Sequence, residues 1–336
     1  MLAKILAGLV LCASIGVALA APGKFETFTD PAAAGPDFAI QGEYQGTWSG
    51  SQQSKEAGAQ VIARGEGKFH VVLLEGGLPG AGWDRTMPQH DYDATFKDGK
   101  ATFGANEVTG TIAGGTLTLA DSSGQTTGTL KKVERTSATL GQEPPQGAIV
   151  LFDGKSLDHF TGGGTLADGL LVMGPRDDGK RGDCVSTDQF GSFTLHLEFR
   201  TPFMPTATGQ ARGNSGVYLL NRYECQALDS FGLVGADNEC GGFYKFRRPD
   251  VNMCFPPLAW QTYDIDFTAA RFDAEGNKTN SARVTVRHNG VVIHPDCELP
   301  NVTPGGIAKE GPTGPLKLQD HGNPVAFRNI WVVPAP

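Results

Sequence analysis

Beyond residue 20 the chain has no apolar run near the ~20 residues needed to cross a bilayer, so the mature protein is not expected to insert into a membrane. It also lacks a positive excess. The formal net charge is −8, which offers no attraction to nucleic acid or an anionic surface and leaves a neutral or polar small molecule as the compatible partner. Cysteine is scarce, six residues in 336, and their spacing matches no zinc pattern, so neither metal nor cofactor is expected. There is no Gly-x-Ser-x-Gly nucleophile elbow, and no segment combines a helical period with caps. What is plentiful is glycine and proline, 46 and 21 residues, which favours an all-β chain with many tight turns. The length favours two domains over one.

Residues 1–20 read as a secretory signal peptide: Lys4, an apolar run over 5–19, then Ala18-Leu19-Ala20 before Ala21-Pro22. An exported protein, periplasmic or extracellular, is expected. A lipoprotein leader using Cys12 is disfavoured, because Leu11 is too large for the position before it. Of the five remaining cysteines, Cys184, Cys225, Cys240, Cys254 and Cys297, proximity in sequence makes Cys240 with Cys254 the favoured disulfide, while Cys225 reads as a buried apolar residue.

Residues 21–40 show no periodicity and read as a linker. A small β-rich accessory domain is expected over 41–140, with strands at 43–48, 60–64, 68–75, 91–96, 101–103, 107–112, 116–120 and 126–133, divided by turn pairs such as Asp98-Gly99 and Gly114-Gly115. That pattern fits an antiparallel sandwich or an up-and-down barrel. The loop over 76–90, with Gly-Gly-Leu-Pro-Gly and Trp83-Asp84, either covers one end of it or faces the next domain. His70 and His90 read as structural. Glu143-Pro144-Pro145 marks the boundary, and a second domain runs over 148–336.

In that domain residues 193–200 alternate cleanly, with Phe193, Leu195, Leu197 and Phe199 toward a core and Thr194, His196, Glu198 and Arg200 toward water. Asn289-Gly290 between apolar runs is a strong hairpin signal. Two strands are expected at 217–220 and 223–228, putting Glu224 and Gln226 on one face, opposite Tyr223, Cys225 and Ala227. Asp229 falls away from Glu224 and reads as structural. The whole reads as a two-sheet antiparallel jelly roll.

Several motifs recur in order: Leu151-Phe-Asp-Gly-Lys-Ser-Leu157, Asn214-Ser-Gly216, Tyr223-Glu-Cys-Gln-Ala-Leu-Asp229, Cys240-Gly-Gly-Phe-Tyr244, Trp260-Gln-Thr-Tyr-Asp-Ile265, Asn289-Gly290, and Leu318-Gln-Asp-His-Gly322 with Phe327-Arg-Asn-Ile330. Together they make residues 148–334 resemble the 3-keto-disaccharide hydrolase domain family, in the two-domain form seen in planctomycete-type bacteria. The resemblance implies a concanavalin A-like jelly roll and a carbohydrate substrate oxidised at C3. Cys225 replaces the family's usual aliphatic residue on the presumed core face.

A 3-keto group acidifies the C2 hydrogen, so glycosidic cleavage by proton abstraction and elimination needs a base, donors for the enolate oxygen and an acid for the leaving oxygen. Glu224, His321 and Arg328 are the candidate catalytic residues. Gln226, Tyr218, Arg222, Tyr244, Lys245 and Gln319 are the candidate substrate contacts. Glu224 paired with Arg222 or Arg328 is the structural alternative. An ordinary glycosidase needs two carboxylates roughly 5–9 Å apart, and the i+2 neighbour of Glu224 is Gln226, although Glu198 or Asp264 from another strand stays open. The competing class is a non-catalytic, lectin-like carbohydrate-binding protein, and a purely structural surface module is a third.

Overall fold

The computed structural model describes residues 25–49, 55–105, 107–175, 179 and 181–335, so the expected leader lies outside the described residues. Eight strands, β1 (Gly42–Trp48), β2 (Lys55–Gly65), β3 (Lys68–Glu75), β4 (Gln89–Lys97), β5 (Lys100–Ala105), β6 (Val108–Ala113), β7 (Thr116–Ala120) and β8 (Thr126–Val133), close into an antiparallel barrel. Its order is sequential, with β8 pairing back to β1. This settles the choice left open between sandwich and barrel. Inward residues such as Tyr44, Phe69, Val71 and Leu117 are fully buried, so the barrel is filled chiefly by its own side chains, with Phe203 and Leu258 joining that core from further along the chain.

Residues read as a linker carry structure. Pro31–Ala33 form a 3-10 turn capped by the Asp30 side chain, and Gly35–Ile40 form a short α-helix. Six residues are too few to display a helical period. Phe28 and Phe38 pack on Phe203, which itself belongs to the barrel core.

The second unit is a jelly roll of two sheets. The larger one is ordered β11 (Thr165–Ala167), β12 (Leu170–Val172), β21 (Ala326–Pro334), β14 (Phe193–Arg200), β17 (Gln261–Thr268), β18 (Ala282–His288), β19 (Val291–Leu299), with β9 (Ile149–Phe152) also on β21. The smaller one is ordered β10 (Phe160–Gly162), β13 (Cys184–Ser186), β20 (Lys317–Leu318), β15 (Ser215–Leu219), β16 (Tyr223–Ala227). Leu195, Leu197 and Phe199 from one sheet and Val217, Leu219, Tyr223, Cys225 and Ala227 from the other are all fully buried between them. Each such large apolar side chain contributes about 1.5–3 kcal/mol of burial. The expected Asn289-Gly290 hairpin joins β18 to β19, with positive φ at both turn residues as a type I′ turn requires.

Two expectations are corrected. The polar face of β14 was read as wet, yet His196 and Glu198 are buried. The chain leaving the barrel covers them: Gly141 N–H donates to Glu198 Oε1 at 2.6 Å and Thr139 Oγ1 to Asp264 Oδ2 at 2.6 Å. The favoured Cys240–Cys254 disulfide is not formed, and all five described cysteines are buried free thiols. Cys240 Sγ contacts the Tyr263 hydroxyl at 3.2 Å and lies against Cys254 as a thiol. His70 pairs with Asp91 and Asp93, and His90 with Glu75, on the barrel surface.

Candidate active site

The β15–β16 hairpin sets the site. Arg222 N–H donates to Leu219 O at 3.0 Å, with Leu220 and Asn221 both at positive φ, and the resulting register places Tyr218 opposite Glu224 and Gly216 opposite Gln226. A Cβ at Gly216 would stand 2.3 Å from Glu224 Oε1, so only glycine lets the carboxylate lie across the neighbouring strand. On the other side of β15, Lys317 is paired with Tyr218, and its ammonium sits 3.7 Å above the Tyr218 ring centroid. Gln319 Nε2 donates to the Tyr218 hydroxyl at 3.2 Å.

Residues 303–305 form the rim. Glu224 N–H donates to Thr303 Oγ1 at 2.7 Å, Tyr218 Oη to Pro304 O at 3.2 Å and Lys317 Nζ to Gly305 O at 2.7 Å. The result is an open cleft of about 140 Å³, lined by Gln210, Tyr218, Glu224, Gln226, Tyr244, Gln319 and His321 besides the rim. That volume falls below the usual range of ligand pockets, about 300–1,000 Å³, and leaves room for a single sugar ring at most.

Glu224 is the one carboxylate among the described residues lining the cleft. Burial pushes its pKa up to about 7, against the opposing effects of the Tyr218 hydrogen bond and the Lys317 charge, with Asp183 adding to the rise. Asp183 does not line the cleft; it holds Lys317 Nζ at 3.0 Å. With its amide nitrogen turned to the carboxylate, Gln226 donates to Glu224 Oε1 at 3.2 Å and to Ser215 O at 2.6 Å. Burial and the neighbouring Glu224 keep the Tyr218 hydroxyl protonated far above its ordinary range. The cleft therefore combines one carboxylate that changes protonation near neutrality with neutral hydroxyl and amide donors.

Of the expected site residues, Glu224, Gln226, Tyr218, Tyr244, Gln319 and His321 come together here. Arg328 does not. It lies on the larger sheet, donating from Nε to Glu198 Oε2 at 2.6 Å, with its guanidinium 4.0 Å from the Trp260 ring centroid. Arg222 is also elsewhere, bonded to the carbonyls of Lys309, Leu220 and Thr313, where it anchors the segment leading from the rim. Neither arginine pairs with Glu224 in the described hydrogen bonds or ion pairs. Lys245 is exposed, its ammonium 5.4 Å from the Tyr244 ring centroid and outside the lining. Asp229 forms a buried ion pair with Arg212 at 2.6 Å. Sequence reasoning missed Gln210, which a 3-10 turn delivers, and the Pro304-Gly305 rim, whose only signal was a turn-forming dipeptide.

A buried carboxylate in a small polar cleft on one sheet of a jelly roll can transfer a proton to or from a polar substrate. The chain belongs to the 3-keto-alpha-glucoside-1,2-lyase-like domain family, whose model matches residues 147–333. A candidate glycosyl hydrolase from Parabacteroides distasonis, solved as a crystal structure, is 33% identical and superposes with a TM-score of 0.52, over 57% of this chain and 85% of that one. A second such protein from the same organism is 18% identical, with a TM-score of 0.43 over 60% of this chain and 100% of that one. No curated protein matches the chain. Family and neighbour together support a glycosyl hydrolase-type enzyme acting on carbohydrate.

Proposed function

We propose that the protein is an exported enzyme that cleaves the glycosidic bond of 3-keto-glycosides by elimination. The observation that carries this reading is Glu224: a buried carboxylate with its pKa raised to about 7, surrounded by neutral donors and without a second carboxylate among the described residues lining the cleft. Double-carboxylate hydrolysis needs a partner about 5–9 Å away, whereas removal of the acidified C2 proton needs one base. The family's name, which refers to a 3-keto-glucoside lyase, supports the same chemistry. The Lys4, apolar-run and Ala-Leu-Ala pattern of residues 1–20 supports export.

In this mechanism ionised Glu224 takes the C2 proton and the C–H electron pair passes into the enolate. The second amide hydrogen of Gln319 offers a hydrogen bond to the oxygen at C3, and the Tyr218 hydroxyl joins it by turning away from Pro304 O. Collapse of the enolate forms the C1–C2 double bond and breaks the bond from C1 to the leaving oxygen, which takes a proton from His321 at the mouth of the cleft. Water then adds across the double bond, its proton going to C2 and its hydroxyl to C1, to complete a net hydrolysis.

The test is turnover of a 3-keto-disaccharide by the purified protein, followed by release of the aglycone sugar. Glu224→Gln should lower release by about 10³-fold while the circular dichroism spectrum is retained. Saturable binding without any release by the wild type would replace this reading with a lectin-like one, for which the same amides and tyrosines would serve.

A further inference from the structure

The chemistry assigned to Glu224 leaves the barrel without a task, yet its longest loop reaches a segment that borders the site. Within residues 76–90 the backbone doubles on itself so closely that a Cβ at Gly82 would lie 2.1 Å from Gly76 O, and one at Gly77 would lie 2.3 Å from Ala81 O. At the tip, Asp84 Oδ1 accepts from Thr86 N–H at 2.8 Å, a local turn that presents Arg85 between them.

Arg85 donates from Nε to Asp250 O at 2.8 Å, from Nη1 to Val234 O, and from Nη2 to Gly235 O at 3.0 Å and Pro249 O at 3.1 Å. These four carbonyls are two pairs, one at each end of a single excursion over residues 234–250. Between its ends the excursion runs along the free edge of β16: Gly241 N–H donates to Gln226 O at 2.9 Å, Gln226 N–H to Gly242 O at 2.9 Å and Tyr244 N–H to Glu224 O at 3.3 Å. It also supplies the Tyr244 wall of the cleft and the Asn238 carbonyl that receives Gln210 Nε2 at 2.7 Å. One planar guanidinium, with its donors fixed in a fork, thus closes the mouth of the loop that borders Glu224 and Gln226.

We propose that Arg85 is a positioning residue of the active site, through which the barrel holds the 234–250 excursion against β16 and so sets the Tyr244 and Gln210 wall. The barrel is then part of the cleft's assembly rather than a separate binding module. The identity of the cleft as the active site rests on the function proposed above; the brace itself does not.

Amide hydrogen exchange on the full-length protein tests it. In Arg85→Ala, exchange over residues 240–246 is expected to rise about tenfold or more while β2 of the barrel stays at the wild-type rate, because the opening is local. Tens of millimolar guanidinium ion should restore protection at 240–246, and the same concentration of sodium should not. With a 3-keto-disaccharide the KM should rise severalfold and kcat should stay within about twofold, as loss of a binding wall requires. Arg85→Lys, which keeps the charge but not the fork, gives a smaller increase in exchange and serves if the alanine variant does not fold. Unchanged exchange at 240–246, or an equal rise throughout barrel and jelly roll, overturns the proposal. Because exchange needs no substrate, a wild-type protein that turns nothing over defeats the Glu224 chemistry and leaves this result readable.

Discussion

Glu198 and Glu224 are buried to the same degree, 1% and 2% exposed, each on a strand of the same jelly roll, and they end with opposite proton affinities. Burial alone would raise both. At Glu198 that effect is more than reversed by the His196 imidazole 3.8 Å away and by hydrogen bonds from Asn329, Arg328 and the Gly141 N–H, which bring its pKa down to about 2. At Glu224 the neighbours are a tyrosine hydroxyl, an amide and a lysine already engaged by Asp183, and the value stands at about 7. His196 itself, against the cost of burial, is drawn toward its charged form by Asp264 and Glu198. Compensated charge makes Glu198 a fastener for the chain that leaves the barrel. Uncompensated burial makes Glu224 a proton acceptor poised near neutrality.

Exchanging each carboxylate for its amide should separate the two roles. Glu224→Gln is expected to lower turnover of a 3-keto-glycoside by about 10³-fold, the scale of a lost general base, with the fold intact. Glu198→Gln should instead cost on the order of 2–4 kcal/mol in denaturant unfolding, since it leaves Arg328 without its counter-charge and His196 with Asp264 alone, and should spare kcat of the folded fraction. Equal loss of activity in both variants would erase the distinction.

The two residues should also limit stability from opposite sides of the pH scale. Glu224 has a folded pKa of about 7 against an ordinary 4.5, so the folded state binds the extra proton and stability falls as pH rises from about 4.5 to 7. In Glu224→Gln that fall disappears, making the variant more stable than the wild type at pH 8 by up to about 3 kcal/mol. Glu198, with a folded pKa of about 2, contributes stability that is present above about 4.5 and lost as pH falls toward 2. Thermal melts of both variants at pH 3, 5 and 8 check the signs. Turnover by the wild type should rise with pH through about 7 as the base ionises.

The strands were legible because period-2 alternation and turn dipeptides are local: the expected 68–75, 116–120 and 126–133 coincide with β3, β7 and β8. The same phase rule put Glu224 and Gln226 on one face and Asp229 off it. What alternation cannot say is which strand lies next door. Alternation puts Lys317, Gln319 and His321 on one face, but only the pairing of Tyr218 with Lys317 brings that face to Glu224. Alternation also fails at a bulge. The β14–β21 register shifts between His196 and Glu198, and Asn329 takes a φ of 46°, so Arg328 and Asn329 both reach Glu198 instead of facing opposite ways. The buried polar cluster around His196 was likewise invisible, because its cover comes from residues 137–142, far away in sequence.

The smallest expected effect tests that correction. Arg328→Met keeps an unbranched stem to lie over Trp260 but removes one of the donors to Glu198, while Asn329 Nδ2 at 3.0 Å and Gly141 N–H at 2.6 Å remain. The Arg328 side chain is 37% exposed, so solvent already screens the pair and the loss should be about 1 kcal/mol. The KM for a 3-keto-glycoside should not move, because no part of Arg328 lines the cleft. A KM raised tenfold in a variant that melts near the wild-type temperature would return Arg328 to the site and place the substrate across both sheets, a geometry that the Glu198 pairing argues against.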